Sequence, residues 1–238
     1  MEERVGEGRT VELGELRIKL DQMTGRICSR LKDRSRFPRN ETVYKPDGVK
    51  IVGRSGISFL EFAIEGLENY HASLGRFNYP DQFPVLGLNL PDSAAERKVG
   101  KIQLPKVLVN LSGDLISFYR GLVLKYCDEG DDPETYGETV FIDADIIQLM
   151  HERINIGRQV AVAKGNLDSS IYGLESEEEI LAKLRDKDRE EALLDLVART
   201  TERYQFSNDM AQEAFRWMIE RTIEVELALI RQAPLNKL

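Results

Sequence analysis

Several residue types are scarce in this 238-residue chain: it holds two cysteines, two histidines and one tryptophan. Cys28 and Cys127 show none of the C-x-x-C spacing of a zinc or thiol-redox site, and His71 and His151 are too few for most metal constellations. No metal is therefore expected, and both thiols are read as buried or incidental. No apolar run approaches the ~20 residues that span a bilayer. The opening MEERVGEGRT carries acids where a signal peptide needs a basic and then an apolar run, so the expected compartment is the cytoplasm. An exported effector form is the other reading. Lys and Arg number 33 against 41 Asp and Glu, a formal charge of −8, and the cations are scattered. Such a surface repels phosphate backbones, so no nucleic-acid partner is expected, and no membrane partner either. A glycine-rich phosphate loop, H-E-x-x-H and a nucleophile elbow are all missing. The sequons at Asn40 and Asn110 matter only on a secretory route.

What is present is helical periodicity, over a 42% hydrophobic composition that is ample for a core. Leu13, Leu16, Leu20, Met23, Ile27 and Leu31 recur at steps of three and four, one stripe of a long amphipathic helix that Pro38 ends. Residues 38–56 carry turn signals and read as a loop. Further helices are read over 58–74, 106–126, about 143–164, through Leu184 after a capping box at Ser176, about 188–205 and about 208–232, with a second loop at 79–105. No sustained two-residue alternation occurs, so the predicted class is all-α.

Four polar sets stand at helical spacing. Arg153 and Lys164 lie 11 residues apart, which returns them to within ~20° of one face, three turns along. Asp186, Arg189 and Glu190 share a second face, and Thr222 and Glu226 a third. Arg17 sits between Leu16 and Leu20, at the edge of an apolar stripe rather than opposite it. Each set taken singly also reads as a solvated surface pair. Arg34 and Lys45 repeat the separation of 11, as an old duplication would leave, but Pro38 and Pro46 prevent one straight helix from aiming both cations together.

In order along the chain, Leu16-Arg17-Ile-Lys-Leu20-Asp21-Gln-Met23, the run from Arg34 to Pro38, Gly56-Ile-Ser-Phe-Leu60, His71 to Asp81, Arg153-Ile-Asn-Ile-Gly-Arg-Gln-Val160-Ala-Val-Ala-Lys164 and Thr222-Ile-Glu-Val-Glu226 resemble the all-helical AroQ-class chorismate mutases, specifically the long form of fungi and plants. The resemblance covers residues 13 to 232 and implies one all-helical domain over 1–238, with residues 1–10 flexible. It implies a Claisen rearrangement of chorismate to prephenate for phenylalanine and tyrosine biosynthesis, without a cofactor, in a homodimer. Carried across, Arg17, Arg153, Lys164, Glu190 and Glu226 are the expected catalytic residues, and Val160, Asp186, Arg189 and Thr222 the expected substrate contacts. Arg17 and Arg153 would clamp two carboxylates, and Lys164 and a protonated Glu226 would flank the ether oxygen. Glu190 would accept from the ring hydroxyl. Asp186 stands where the fungal enzymes have asparagine, and resembles the shorter bacterial enzymes there.

The family's effector site for tyrosine or tryptophan uses an arginine pair, a Gly-Ser and a threonine. The matching positions here are Gly75-Arg76, Gly137-Glu138 and Phe141. Losing a guanidinium and gaining a carboxylate removes partners for an amino acid's carboxylate, so feedback control is expected to be weak or absent. Two other readings stand beside the enzyme: a helical binding or effector protein without turnover, and a purely structural helical protein.

Overall fold

The computed structural model describes residues 12–79, 82–96, 104, 109 and 111–232. Among them are eight α-helices and no strand: α1 Leu13–Arg34, α2 Phe59–Ser73, α3 Ser112–Tyr126, α4 Tyr136–Asn155, α5 Gly157–Leu167, α6 Glu177–Leu184, α7 Lys187–Tyr204 and α8 Asn208–Gln232. No described helix is long and apolar enough to cross a membrane.

The stripe on α1 is buried at Leu16, Met23, Ile27 and Leu31, where it meets α4 and α7. At the start of α2, Ser58 and Glu61 form a reciprocal capping box, Ser58 N donating to Glu61 Oε2 at 2.7 Å. The capping box expected at Ser176 is only half made: Ser176 Oγ accepts from Glu179 N at 3.4 Å, and the returning carboxylate bond is not among the described contacts. The helix expected from residue 106 begins at Ser112, and 106–108 and 110 lie outside the described residues, as do residues 1–10 and the sequon at Asn110.

The predicted helix 143–164 needs two corrections. It starts at Tyr136, because Pro133 opens a 3-10 turn over Pro133–Thr135 that leads directly into the helix, while residues 127–135 still separate it from α3. It is also two helices. Ile156 keeps helical angles, but Gln159 and Val160 both donate to its carbonyl, at 2.9 and 3.1 Å, a tighter pattern that interrupts the ladder between α4 and α5. The loop 38–56 likewise holds a 3-10 turn at Glu41–Tyr44. Its sequon residue Asn40 is fully buried, donating to Thr135 and Thr139 Oγ1 at 3.1 and 2.8 Å and accepting from Asp132 N at 2.7 Å.

Helix α4 is the axis of the packing, with α1, α2, α3 and α8 against it. Two buried charges fasten the surrounding chain. Arg34, closing α1, donates Nε to Asp143 Oδ1 at 2.8 Å, with both side chains fully buried. Tyr44 and Tyr119 donate to the same carboxylate at 2.6 and 2.5 Å. Glu68 of α2 accepts from the backbone amides of Val85, Leu86 and Gly87 and from Gln148 Nε2, fixing the strap 85–87 against α4. Cys28 and Cys127 are buried and unpaired; burial pushes the Cys28 thiol up to about 12, so it stays protonated.

Candidate active site

Helices α1, α4, α5, α7 and α8 surround a cavity of about 100 Å³. Its apolar wall is Leu13, Leu20, Val160, Leu184, Leu193, Ile219 and Ile223, and its polar groups are Arg17, Arg153, Lys164, Asp186, Arg189, Glu190, Thr222 and Glu226. The structure thus brings together all nine residues expected as catalytic or substrate-contacting, from four polar sets up to 209 residues apart in sequence (226 − 17).

Each polar group has a distinct state. Arg153, on the last turn of α4, is 3% exposed, and no hydrogen bond or ion pair is found for it among the described residues; its guanidinium lies 5.2 Å from the centre of the Phe215 ring. Burial, then the repulsion of Arg189, brings its pKa down to about 10. Asp21 attracts the guanidinium from a distance, but no described carboxylate is in contact with it, so it is a cation prepared for an anion. Arg17 donates to Asp186 Oδ2 at 2.7 Å near the mouth, where both side chains are roughly two-fifths exposed. The other oxygen of Asp186 caps α7, accepting from Arg189 N at 3.1 Å, so one carboxylate starts a helix and holds a clamp. Arg189 pairs with Asp21 of α1.

Lys164 donates to Glu226 Oε2 at 2.8 Å and to the Leu184 carbonyl at the end of α6, which leaves one of its three N–H groups for the cavity. Burial pushes Glu226 up to about 7; Lys164 holds it back and Glu190 adds to the rise. Glu190 Oε1 is buried without a partner, while Oε2 lies 3.4 Å from Arg185. Thr222 spends its hydroxyl proton on Met218 O at 2.7 Å, so towards the cavity it offers lone pairs alone. The set can bind two anionic groups, donate to an oxygen between them and accept from a hydroxyl.

A profile of the family "Chorismate mutase type II" matches residues 135–227, which contain eight of those nine residues. Chorismate mutase 1, chloroplastic, of Arabidopsis thaliana is 32% identical over 201 residues, 82% of this chain and 55% of that protein. The chorismate mutase of Schizosaccharomyces pombe is 31% identical over 157 residues, 65% of this chain and 62% of that protein. The chain is similar to chorismate mutases over most of its length. It spans a little over half the length of these relatives. The all-helical chorismate mutase fold is matched in three dimensions by Aro7p chorismate mutase from Candida albicans in complex with L-Trp, with a TM-score of 0.85 and 24% identity over 93% of this chain and 91% of that one. AtCM1 with tyrosine bound in its allosteric site matches with a TM-score of 0.78 and 26% identity over 96% of this chain and 99% of that one.

The expected effector positions are not brought together within the chain. Gly75 takes the left-handed φ of 70° that turns the chain after α2, and Arg76 pairs with Glu152, near the end of α4, at 2.6 Å. Gly137, Glu138 and Phe141 lie exposed at the start of α4, about 21 Å away along the 14 residues from 138 to 152. Phe141 is 62% exposed.

Sequence reasoning passed over four residues on the helices that carry the site. Asp21 stands four residues after Arg17, on the same helical face, and that spacing was its signal. The Leu184 carbonyl that receives Lys164 left no signal, because a backbone group has no residue type. Gly157, where α5 meets α8, reads simply as a helix weakener. Arg158, buried with its guanidinium 3.7 Å from the centre of the Phe83 ring, reads as a surface charge.

Proposed function

We propose that the chain is a chorismate mutase, converting chorismate to prephenate by an intramolecular Claisen rearrangement that feeds phenylalanine and tyrosine synthesis. The observation that carries this is Arg153: a buried guanidinium in contact with no carboxylate among the described residues, facing a cavity that also holds a lysine paired to a carboxyl of raised pKa. A dicarboxylate resolves both features. Arg17 and Arg153 bind its carboxylates, each able to do so with two parallel N–H bonds. The apolar wall holds the ring in the compact conformer in which the reacting carbons approach. As the ether bond breaks, its oxygen gains charge, and the free N–H of Lys164 and the proton of Glu226, both on largely buried side chains, meet it. Glu190 Oε1 accepts from the ring hydroxyl, and Asp186, Arg189 and Thr222 hold the clamp and the ring in register. The reaction is unimolecular and uses these groups without a bound cofactor or metal.

The readings of assembly and control rest on the same resemblance. We take the working form to be a homodimer. Arg76 is occupied by Glu152, Gly75 has no side chain and Glu138 is a carboxylate, so tyrosine and tryptophan leave the rate unchanged. The cytoplasm is the proposed compartment, although the Arabidopsis relative is named as chloroplastic; a fluorescent fusion in the source cell decides it.

The test is loss of chorismate's diene absorbance on mixing with purified protein, with Arg153→Ala in parallel and with either amino acid added. Rapid loss that the variant lacks supports the mutase. Loss no faster than the uncatalysed rate, from folded protein, replaces it with a scaffold that binds without turnover. Acceleration or inhibition by either amino acid overturns the unregulated reading.

A further inference from the structure

Helix α5 approaches α8 across a residue with no side chain. A Cβ on Gly157 would lie 2.9 Å from Thr222 Cγ2, 3.1 Å from the Thr222 carbonyl oxygen and 3.6 Å from Glu226 Cγ. The first distance is shorter than real Cβ contacts, and the second is against backbone. Gly157 has no left-handed φ, so its need for glycine is one of space. The other glycines of the helices differ. Gly66 in α2 and Gly121 in α3 face open space, and at Gly165 the nearest atom is the end of the Tyr172 side chain.

The neighbours met at Gly157 are both residues of the cavity wall. Seven residues separate Gly157 from Lys164, within ~20° of two full turns, so both lie on the face of α5 that looks at α8. Arg153 stands four residues before Gly157. The separation of α5 and α8 at Gly157 is thus passed along one face to the Lys164–Glu226 contact of 2.8 Å. We propose that Gly157 is a positioning residue, whose missing side chain sets the α5–α8 spacing that brings Lys164 into hydrogen-bonding reach of Glu226. The inference rests on the mutase reading for its kinetic consequence, and on geometry alone for its electrostatic one.

Glu226 shares the cavity with Lys164 of α5, Arg153 of α4, Arg17 of α1, and Asp186, Arg189 and Glu190 at the start of α7. Of these, Lys164 lowers its pKa and Glu190 raises it. Only Lys164 rides on the helix that a larger residue at 157 displaces, so a displacement weakens the lowering contribution and moves the Glu226 titration to higher pH.

The experiment compares wild type, Gly157→Ala, Thr222→Ser, the double variant and Gly66→Ala in kcat, KM, pH profile and a ¹³C carboxyl titration of Glu226. Thr222→Ser removes the methyl that the new Cβ meets and keeps the hydroxyl. The expected result is a kcat for Gly157→Ala lower by about tenfold, short of the roughly 10²-fold that a full 1 Å misplacement costs. A Glu226 midpoint moved to higher pH accompanies it, and the double variant recovers most of the loss relative to Thr222→Ser. Gly66→Ala matches wild type. A Gly157→Ala enzyme with wild-type kcat and midpoint overturns the proposal, as does a loss that Thr222→Ser fails to relieve or the failure of both Gly157 variants to fold. If wild type consumes no chorismate, the mutase reading falls, and the Glu226 midpoint alone decides the role of Gly157.

Discussion

Arg34 and Asp143 face each other at 2.8 Å with no exposure to solvent, and Tyr44 and Tyr119 complete the carboxylate's hydrogen bonds. Arg153 is buried almost as deeply and has no such partner among the described residues. The same guanidinium chemistry therefore predicts opposite responses. Asp143→Asn strands Arg34 and lowers unfolding free energy by about 3–5 kcal/mol. Arg153→Met removes a charge that the empty protein gains nothing from, raising stability by roughly 1–2 kcal/mol while turnover disappears. Urea unfolding of both variants beside the chorismate assay checks the pair; an unstable Arg153→Met would contradict it.

Glu226 gives a pH dependence of stability of unusual sign for an acid. Its folded pKa of about 7 lies above its ordinary 4.5, so between those values the folded state binds the extra proton. Stability from this group is complete below pH 4.5, falls as pH rises through 7, and is then constant, a total of about 3 kcal/mol. Glu226→Gln removes this slope. Activity follows the same proton, declining above pH 7 in wild type, and the glutamine variant has a flattened profile because its amide donates at every pH. Denaturation midpoints and kcat measured from pH 5 to 9 decide both points.

The ion pair of Arg17 with Asp186 competes with the proposed substrate for the same clamp. Asp186→Asn keeps an oxygen to cap α7 but drops the charge, so KM falls by up to about fivefold, the worth of a part-exposed pair, with little change in stability. Asp186→Ala loses the cap as well and destabilises by about 1 kcal/mol. Steady-state kinetics and thermal melts of the two variants separate the roles.

Glu68→Gln replaces a carboxylate that accepts three backbone amides with a group that also carries donors. The strap 85–87 loosens locally by roughly 1.5–3 kcal/mol. Amide exchange of Leu86 and Gly87 then quickens about ten- to a hundredfold, while the exchange of α8 stays as it was.

The sequence displayed the helices most clearly where an apolar stripe was long: α8 matches its expected bounds, and α1 follows its stripe from Leu13. Boundaries failed where proline had two meanings, as at Pro133, which lies between α3 and α4 and also opens the turn that runs straight into α4. The break at Ile156 was hidden because both sides keep helical periodicity and helical angles. The cavity's polar residues were legible because 3.6-residue spacing puts each set on one face, and the resemblance supplied what spacing lacks, the knowledge that the four faces meet. What stayed hidden has no pattern in one dimension: the Leu184 carbonyl and the bare backbone of Gly157 against Thr222.

The cavity takes one wall from α1 and another from α8, with Arg17 and Glu226 at its two ends in sequence. A ribosome delivers α1 first and α8 after every other described helix, so for most of the chain's synthesis Lys164 has no Glu226 and Arg153 no enclosure. Nascent α1, α4 and α7 present their apolar faces without α8 to cover them, which makes the growing chain a client for chaperones until α8 emerges. The reaction vessel comes into being in a single late step, when the last of these helices docks.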